Sequence, residues 1–170
     1  MAKKTRVHGH GIRQLPVSRN HCFACGPDNP QGMHLKFDYL RRRRRFVSRF
    51  RLGRRYTGPP GHAHGGIIAT ILDEAMGKVN KLRSVIALTS RMEVQYLKPV
   101  PLQQPLRVES WELRVRGRRH TNVAEILNGR GQVLARGKAL FLAIDPLKMF
   151  ARHLPKGWAQ STGVKSAGVK

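Results

Sequence analysis

His64, Gly65 and Gly66 stand directly before the one long stretch of helical periodicity in this chain, and Asp73 and Glu74 fall in its middle. A carboxylate inside an apolar helix is costly unless it is paired, neutral or functional. Three and four residues away from Asp73 on a helix are Ala69, Thr70, Met76 and Gly77, its neighbours on the same face. Three of these four are small, which leaves an open slot above the carboxylate. Glu74 points about 100° further round the axis and has less claim to that slot. Gly65 and Gly66 lie at the helix start, where free N–H groups and the positive dipole end favour anions and glycine permits close approach. In acyl transfer such donors polarise a carbonyl and hold the developing oxyanion. The plainer alternative is that Asp73 pairs with a nearby Arg or Lys and the glycines merely begin a helix.

Geometry adds a constraint. Gly66 and Asp73 are seven residues apart, so ~10 Å separates them along one helix. One carbonyl carbon cannot easily touch both. Two such helices running antiparallel across a two-fold axis would bring Gly66 of one chain to Asp73 of the other. The spacing therefore predicts a homodimer with shared sites.

The elements that must position these residues follow from periodicity. Met33, Leu35, Phe37 and Tyr39 alternate with other residues and predict a first strand. Phe46, Phe50 and Leu52 alternate with Arg45, Arg49 and Arg51 and predict a second, with the arginines on its wet face. Residues 57–66 (TGPPGHAHGG) read as a loop. A helix is predicted over 67–83 from Ile67, Ile68, Ile71, Leu72, Ala75, Met76, Val79 and Leu82. Four strands are predicted over 89–97, 106–116, 121–127 and 132–144, separated by Pro or Gly turns. The order β-β-α-β-β-β-β with one apolar helix implies an antiparallel sheet wrapped around that helix, an α+β domain. Residues 1–20 read as a basic N-terminal arm, 21–150 as the working domain and 151–170 as a flexible C-terminal tail.

The segments HGGIIATILDEAMG (64–77), LTSRMEVQYLKPVP (88–101) and CFACGPDNPQGMHLKF (22–37) together resemble hotdog-fold acyl-CoA thioesterases of the phenylacetate-pathway (PaaI-like) type. The resemblance covers about residues 20 to 145. It implies hydrolysis of an acyl-CoA thioester by water, with no cofactor beyond the coenzyme A of the substrate and no metal, in a dimer or a dimer of dimers. Asp73 matches the family's carboxylate, acting as nucleophile or as general base. Gly65 and Gly66 match its oxyanion region, with Gly66 as the N–H donor. Thr89 matches the hydroxyl residue that positions the water or the carboxylate, and His64 the motif histidine. Some members carry an Asn where this chain has Gly58, which leaves that role to another group such as His62.

Composition limits the partners. Thirty-three Lys and Arg face nine Asp and Glu, a net charge of +24. Such a field attracts polyanions of any kind, including nucleic acid, anionic membrane and the phosphates of coenzyme A. Arg91, Lys98, Arg118, Arg119 and Lys138 are candidates to hold those phosphates. Residues 41–45 and 116–120 are the densest basic clusters; with Phe46, Phe50 and Tyr56, the first could be a nucleic-acid surface or simply a solvated strand face. A non-catalytic shell binding acyl-CoA or another polyanion is the alternative function. Enoyl-thioester hydration would need a His with a carboxylate in a different loop pattern, which is not found here. Cys22 and Cys25, near His21, His8 and His10, fall short of a four-ligand zinc set and read as two half-buried thiols; Cys25 lacks an evident base to make it a nucleophile. No apolar run approaches the ~20 residues that cross a bilayer, and no secretory signal is evident, so a cytoplasmic protein is expected.

Overall fold

The computed structural model describes residues 20–153. The expected arm and tail fall almost wholly outside that range, as do His8 and His10. Six strands form one sheet: β1 (Asp38–Leu40), β2 (Arg45–Phe50), β3 (Ala87–Tyr96), β4 (Leu106–Arg116), β5 (Arg119–Asn128) and β6 (Val133–Ala143). Their spatial order is β1-β2-β4-β5-β6-β3, and each pairing is antiparallel. Between β2 and β3 runs α1 (Gly65–Val79), continued by a 3-10 turn, Asn80–Arg83. A short α2 (Pro146–Phe150), which periodicity did not signal, follows β6. No helix among the described residues is long and apolar enough to cross a membrane.

The sheet curls around α1. Ile68, Ile71, Leu72, Ala75, Met76 and Val79 bury one side of the helix, as its apolar period requires. The inner face of the sheet is marked by Gly137 of β6, where a Cβ would lie 3.0 Å from Met76 Cε and 3.2 Å from Leu72 Cβ. Residues directly opposite share a face, so Ala135, Gly137, Ala139 and Phe141 of β6 turn inward with Ala124 and Asn122 of β5. Arg136 and Lys138 turn outward and are exposed.

The predicted arginine face of β2 is borne out. Phe46 and Phe50 face Ser110 and Leu106, while Arg49 is exposed and Arg45 lies on the outer face over the Trp111 ring, 4.0 Å from its centre. The first strand is a correction: β1 holds only Asp38–Leu40. His34 adopts a left-handed φ of 53°, which interrupts extended pairing. Residues 33–35 instead bond to the Cys loop, through Met33 N–H to Phe23 O (2.7 Å) and Leu35 N–H to Ala24 O (2.9 Å). The alternation there reports contact with the core below, where Leu35 is buried.

Two sheet side chains bond directly to the helix backbone. Ser110 Oγ donates to Ala75 O at 2.6 Å. Asn122 Nδ2 donates to Met76 O at 3.0 Å and to Asn80 Oδ1 at 2.9 Å. Asn122 is only 1% exposed, so its removal strands buried acceptors. Asn122→Ala is expected to cost ~1–3 kcal/mol in reversible denaturation, with an unchanged unfolding midpoint excluding the role given to it.

Candidate functional site

Asp73 lies at the rim of the buried face of α1, half-buried. Its Oδ1 accepts a hydrogen bond from Thr89 Oγ1 at 2.7 Å. No described Lys or Arg forms a salt bridge with it, whereas its neighbour Glu74 pairs with Lys78 at 2.6 Å. The ion-pair alternative therefore describes Glu74, and Asp73 keeps its second oxygen clear of any described donor.

Thr89 reaches Asp73 because of a β-bulge. Thr89 opposes Phe141 and Arg91 opposes Leu140, so Ser90 is an extra residue in β3. Without it, Thr89 and Arg91 would share a face, because strands alternate with period two. The bulge changes that parity. Thr89 turns inward, as do Met92 and Val94, which pack against the core. Arg91 turns outward with Glu93. Sequence reasoning named Thr89 but overlooked Ser90, which no periodicity rule distinguishes from an ordinary strand residue.

The helix start forms the second locus. His64 caps α1 with an extended backbone, and its Nδ1 accepts the Gly66 N–H at 3.0 Å. That N–H is thus engaged by the imidazole, and a carbonyl must displace the ring to use it. Tyr96, an inward residue of β3 that sequence reasoning missed, donates its hydroxyl to Gly65 O at 3.2 Å. Nothing in the spacing links residues 65 and 96; only the fold does.

The remaining candidates scatter more widely. Thr70 donates to Gly66 O at 2.9 Å, and Ala69 and Gly77 are half-buried on α1. Met76 is a correction: it is fully buried against Gly137 and belongs to the helix–sheet packing, not to an open slot. His62 Nδ1 lies 2.9 Å from Pro60 O and holds the loop before α1. Arg91 and Lys138 sit on the outer face, away from Asp73, which removes both from the mouth of this protomer's site. Arg118 Nε donates to Ala143 O at 3.0 Å, and Arg119 opposes Leu142. Both thereby stand at the sheet end near Thr89, two strands or about 10 Å away. Lys98 is exposed beyond β3. A concavity of about 520 Å³ lined by Arg49, Phe50, Leu106 and Arg107 lies at the far end of β4 and contains none of the candidates.

The cysteines pack against α1. Lys78 Nζ donates to Cys25 Sγ at 3.1 Å. Burial, reinforced by the Glu74 carboxylate, pushes the Cys25 thiol up to about 11. At neutral pH it is protonated, which closes the thiol-nucleophile alternative.

A family model described as the thioesterase superfamily matches residues 60–135. Acyl-coenzyme A thioesterase THEM4 of Mus musculus is 32% identical over 137 residues, covering 80% of this chain and 59% of the mouse protein. The chain thus spans about three fifths of that relative's length. A crystal structure described as a thioesterase superfamily protein superposes with a TM-score of 0.68 at 30% identity, covering 72% of this chain and 60% of that one. A Bacillus halodurans protein solved with CoA gives a TM-score of 0.58 at 26% identity, covering 65% and 74%.

Gly58 has a local explanation. A Cβ there would lie 2.7 Å from His64 Cα and 3.0 Å from His64 N, so this loop has no room for an Asn. Gly58→Asn is expected to destabilise the protein by ~1–3 kcal/mol through overpacking. Thermal melting beside wild type tests this, and an unshifted transition would show that the loop yields freely.

Proposed function

We propose that the chain, a hotdog-fold member of the thioesterase superfamily, hydrolyses an acyl-CoA thioester to a carboxylate and free coenzyme A. The observation that carries this reading is the Thr89–Asp73 hydrogen bond, 2.7 Å long, on a carboxylate that has no cation partner among the described residues. Thr89 fixes one oxygen and leaves the other to a water or to the thioester carbon. Asp73 acts as general base in the first case and as nucleophile in the second. The name of the mouse relative and the CoA held by the Bacillus halodurans protein support coenzyme A as the carrier.

The oxyanion donor is the Gly66 N–H, at the positive end of a fifteen-residue helix. It lies ~10 Å along the axis from Asp73, so the site is completed by a second copy. A surface for that copy exists. The ten-residue β3 ends the sheet, bonded only to β6. Leu88 and Leu97, at and just beyond its ends, are 42% and 50% exposed. A long, unpaired edge recruits another strand. Pairing β3 with its two-fold copy sets the two α1 helices antiparallel and brings each Gly66 toward the other Asp73. We assign the coenzyme A phosphates to Arg118, in the turn at the sheet end near Thr89; Arg119 opposes Leu142 and shares its outward face.

Thiol release from short, long and aryl acyl-CoAs tests the reaction. Asp73→Asn is expected to lose ~100-fold or more on every thioester that wild type turns over. If wild type releases no thiol from any of them, the protein is a polyanion-binding shell, and its +24 charge becomes the lead. Site sharing has its own test, because Gly66→Pro removes the N–H at a helix turn that tolerates proline. Refolding Asp73→Asn with Gly66→Pro in equal amounts is expected to restore about a quarter of wild-type activity, through mixed dimers with one intact site each. No recovery would place both groups of each site on one chain.

A further inference from the structure

Cys22, Cys25 and Glu74 offer two sulfurs and a carboxylate oxygen that all lie within 4.8 Å of one another. We propose that these three residues form a binding site for a divalent transition metal of the zinc class, clamping the loop before β1 to α1 beside the Asp73 turn. The inference is independent of the thioesterase reading and departs from the sequence-based expectation of no metal.

The Cys loop is built before any ion arrives. Gly26 N–H donates to Cys22 O at 2.8 Å. Cys22 N–H donates to Asn20 Oδ1 at 3.0 Å, and Asn29 Nδ2 donates to His21 O at 3.1 Å. The turn is so tight that a Cβ on Gly26 would meet Asn20 O at 2.3 Å and Cys22 N at 2.4 Å. Cys-x-x-Cys-Gly in such a fold presents both sulfurs to one side, at the spacing used by tetrahedral zinc sites. Here that side faces Glu74, whose Oε2 is 3.9 Å from Cys22 Sγ.

A cation already lies against two of the three donors. Lys78 Nζ is 2.6 Å from Glu74 Oε1 and 3.1 Å from Cys25 Sγ. The lysine side chain is 17% exposed and long enough to swing its ammonium to solvent. A tetrahedral ion with bonds of about 2.3 Å to sulfur and 2.0–2.2 Å to oxygen holds its donors about 3.5–3.8 Å apart. Closing the cluster therefore takes shifts of about 1 Å in side chains at the surface. Two thiolates select zinc-class ions over magnesium or calcium. Binding displaces the thiol protons and leaves a fourth position to solvent.

Co2+ is the probe, titrated without oxygen into the reduced, full-length, metal-free protein. One equivalent is expected to bind with a thiolate-to-cobalt charge-transfer band and the intense visible bands of a tetrahedral ion. Added Zn2+ should bleach both, following its higher affinity. Cys22→Ser and Glu74→Gln are each expected to weaken binding about tenfold or more. Cys22 is exposed, so its variant folds, and a melting curve verifies this. Lys78→Met, which removes the competing ammonium, is expected to tighten Co2+ binding. Absence of the charge-transfer band in wild type overturns the proposal. So does a band that survives Cys22→Ser, or cobalt binding without sulfur character, which would belong to histidines elsewhere.

Discussion

Hydrogen bonds from Ser110 Oγ to Ala75 O and from Asn122 Nδ2 to Met76 O hold α1 at one rotation about its axis. Packing alone fixes that rotation less well. Each buried Ile, Leu, Met or Val of the helix contributes ~1.5–3 kcal/mol, but apolar burial is non-directional and tolerates some turning of the cylinder. Each hydrogen bond adds only ~1 kcal/mol net, yet it is satisfied at a single angle. The apolar stripe thus holds the helix in the sheet, and the two polar side chains set where every other residue on it points. Asp73 arrives at the rim beside β3, with Gly66, Thr70 and Gly77 along the same flank, while Glu74 and Lys78 arrive beside the Cys loop.

On the sheet side, the matching device is the bulge at Ser90. A regular β3 has only two choices. Either Met92, Val94 and Tyr96 turn inward and Thr89 turns out, or the reverse. Neither serves both the core and the carboxylate. One inserted residue gives each half of the strand its own parity, so the apolar half packs on α1 while Thr89 reaches Asp73. Tyr96, on the inward half, meets the helix start through Gly65 O. A single strand therefore touches both ends of the proposed chemistry, and it is the same strand whose outer edge is open to a second copy.

What the sequence made legible follows the same division. The period of α1 and the alternation of β4, β5 and β6 are repeated signals set by burial, and their limits agree with the structure to within two residues or so, except where α1 gives way to a 3-10 turn at Asn80. Asp73 stood out because a carboxylate at the edge of an apolar stripe is unusual. Features set by one residue or by contact through space were not legible. Arg91 was one of several basic candidates for the coenzyme A phosphates and lies on the face away from Asp73 because of Ser90. Met76 was placed over the carboxylate by counting three residues along the helix, but the measured rotation turns it into the sheet. Met33 to Tyr39 alternate as a strand would, yet a left-handed His34 makes most of that segment a partner of the Cys loop. Gly58 looked like a missing side chain and is a close backbone contact with His64.

The surplus charge sharpens the meaning of Asp73. In a chain with 33 basic residues and nine acidic ones, cations are in excess: Glu74, Glu112 and Glu125 each take one and Glu109 takes two, while Asp28, Asp38, Glu93 and Asp145, like Asp73, form no salt bridge among the described residues. Asp73 takes none among the described residues because the inward surface of β3 offers it a hydroxyl instead. The bulge does this twice over, since the insertion that turns Thr89 in also turns Arg91 out. An arginine at that position would bind the carboxylate in a two-pronged ion pair and occupy the lone pairs needed to take a proton from water or to attack a thioester. A neutral donor fixes the carboxylate's orientation and engages only one oxygen. The local geometry therefore keeps cations from the one acid proposed to react, while the rest of the surface holds them in the excess that the proposed anionic substrate would meet.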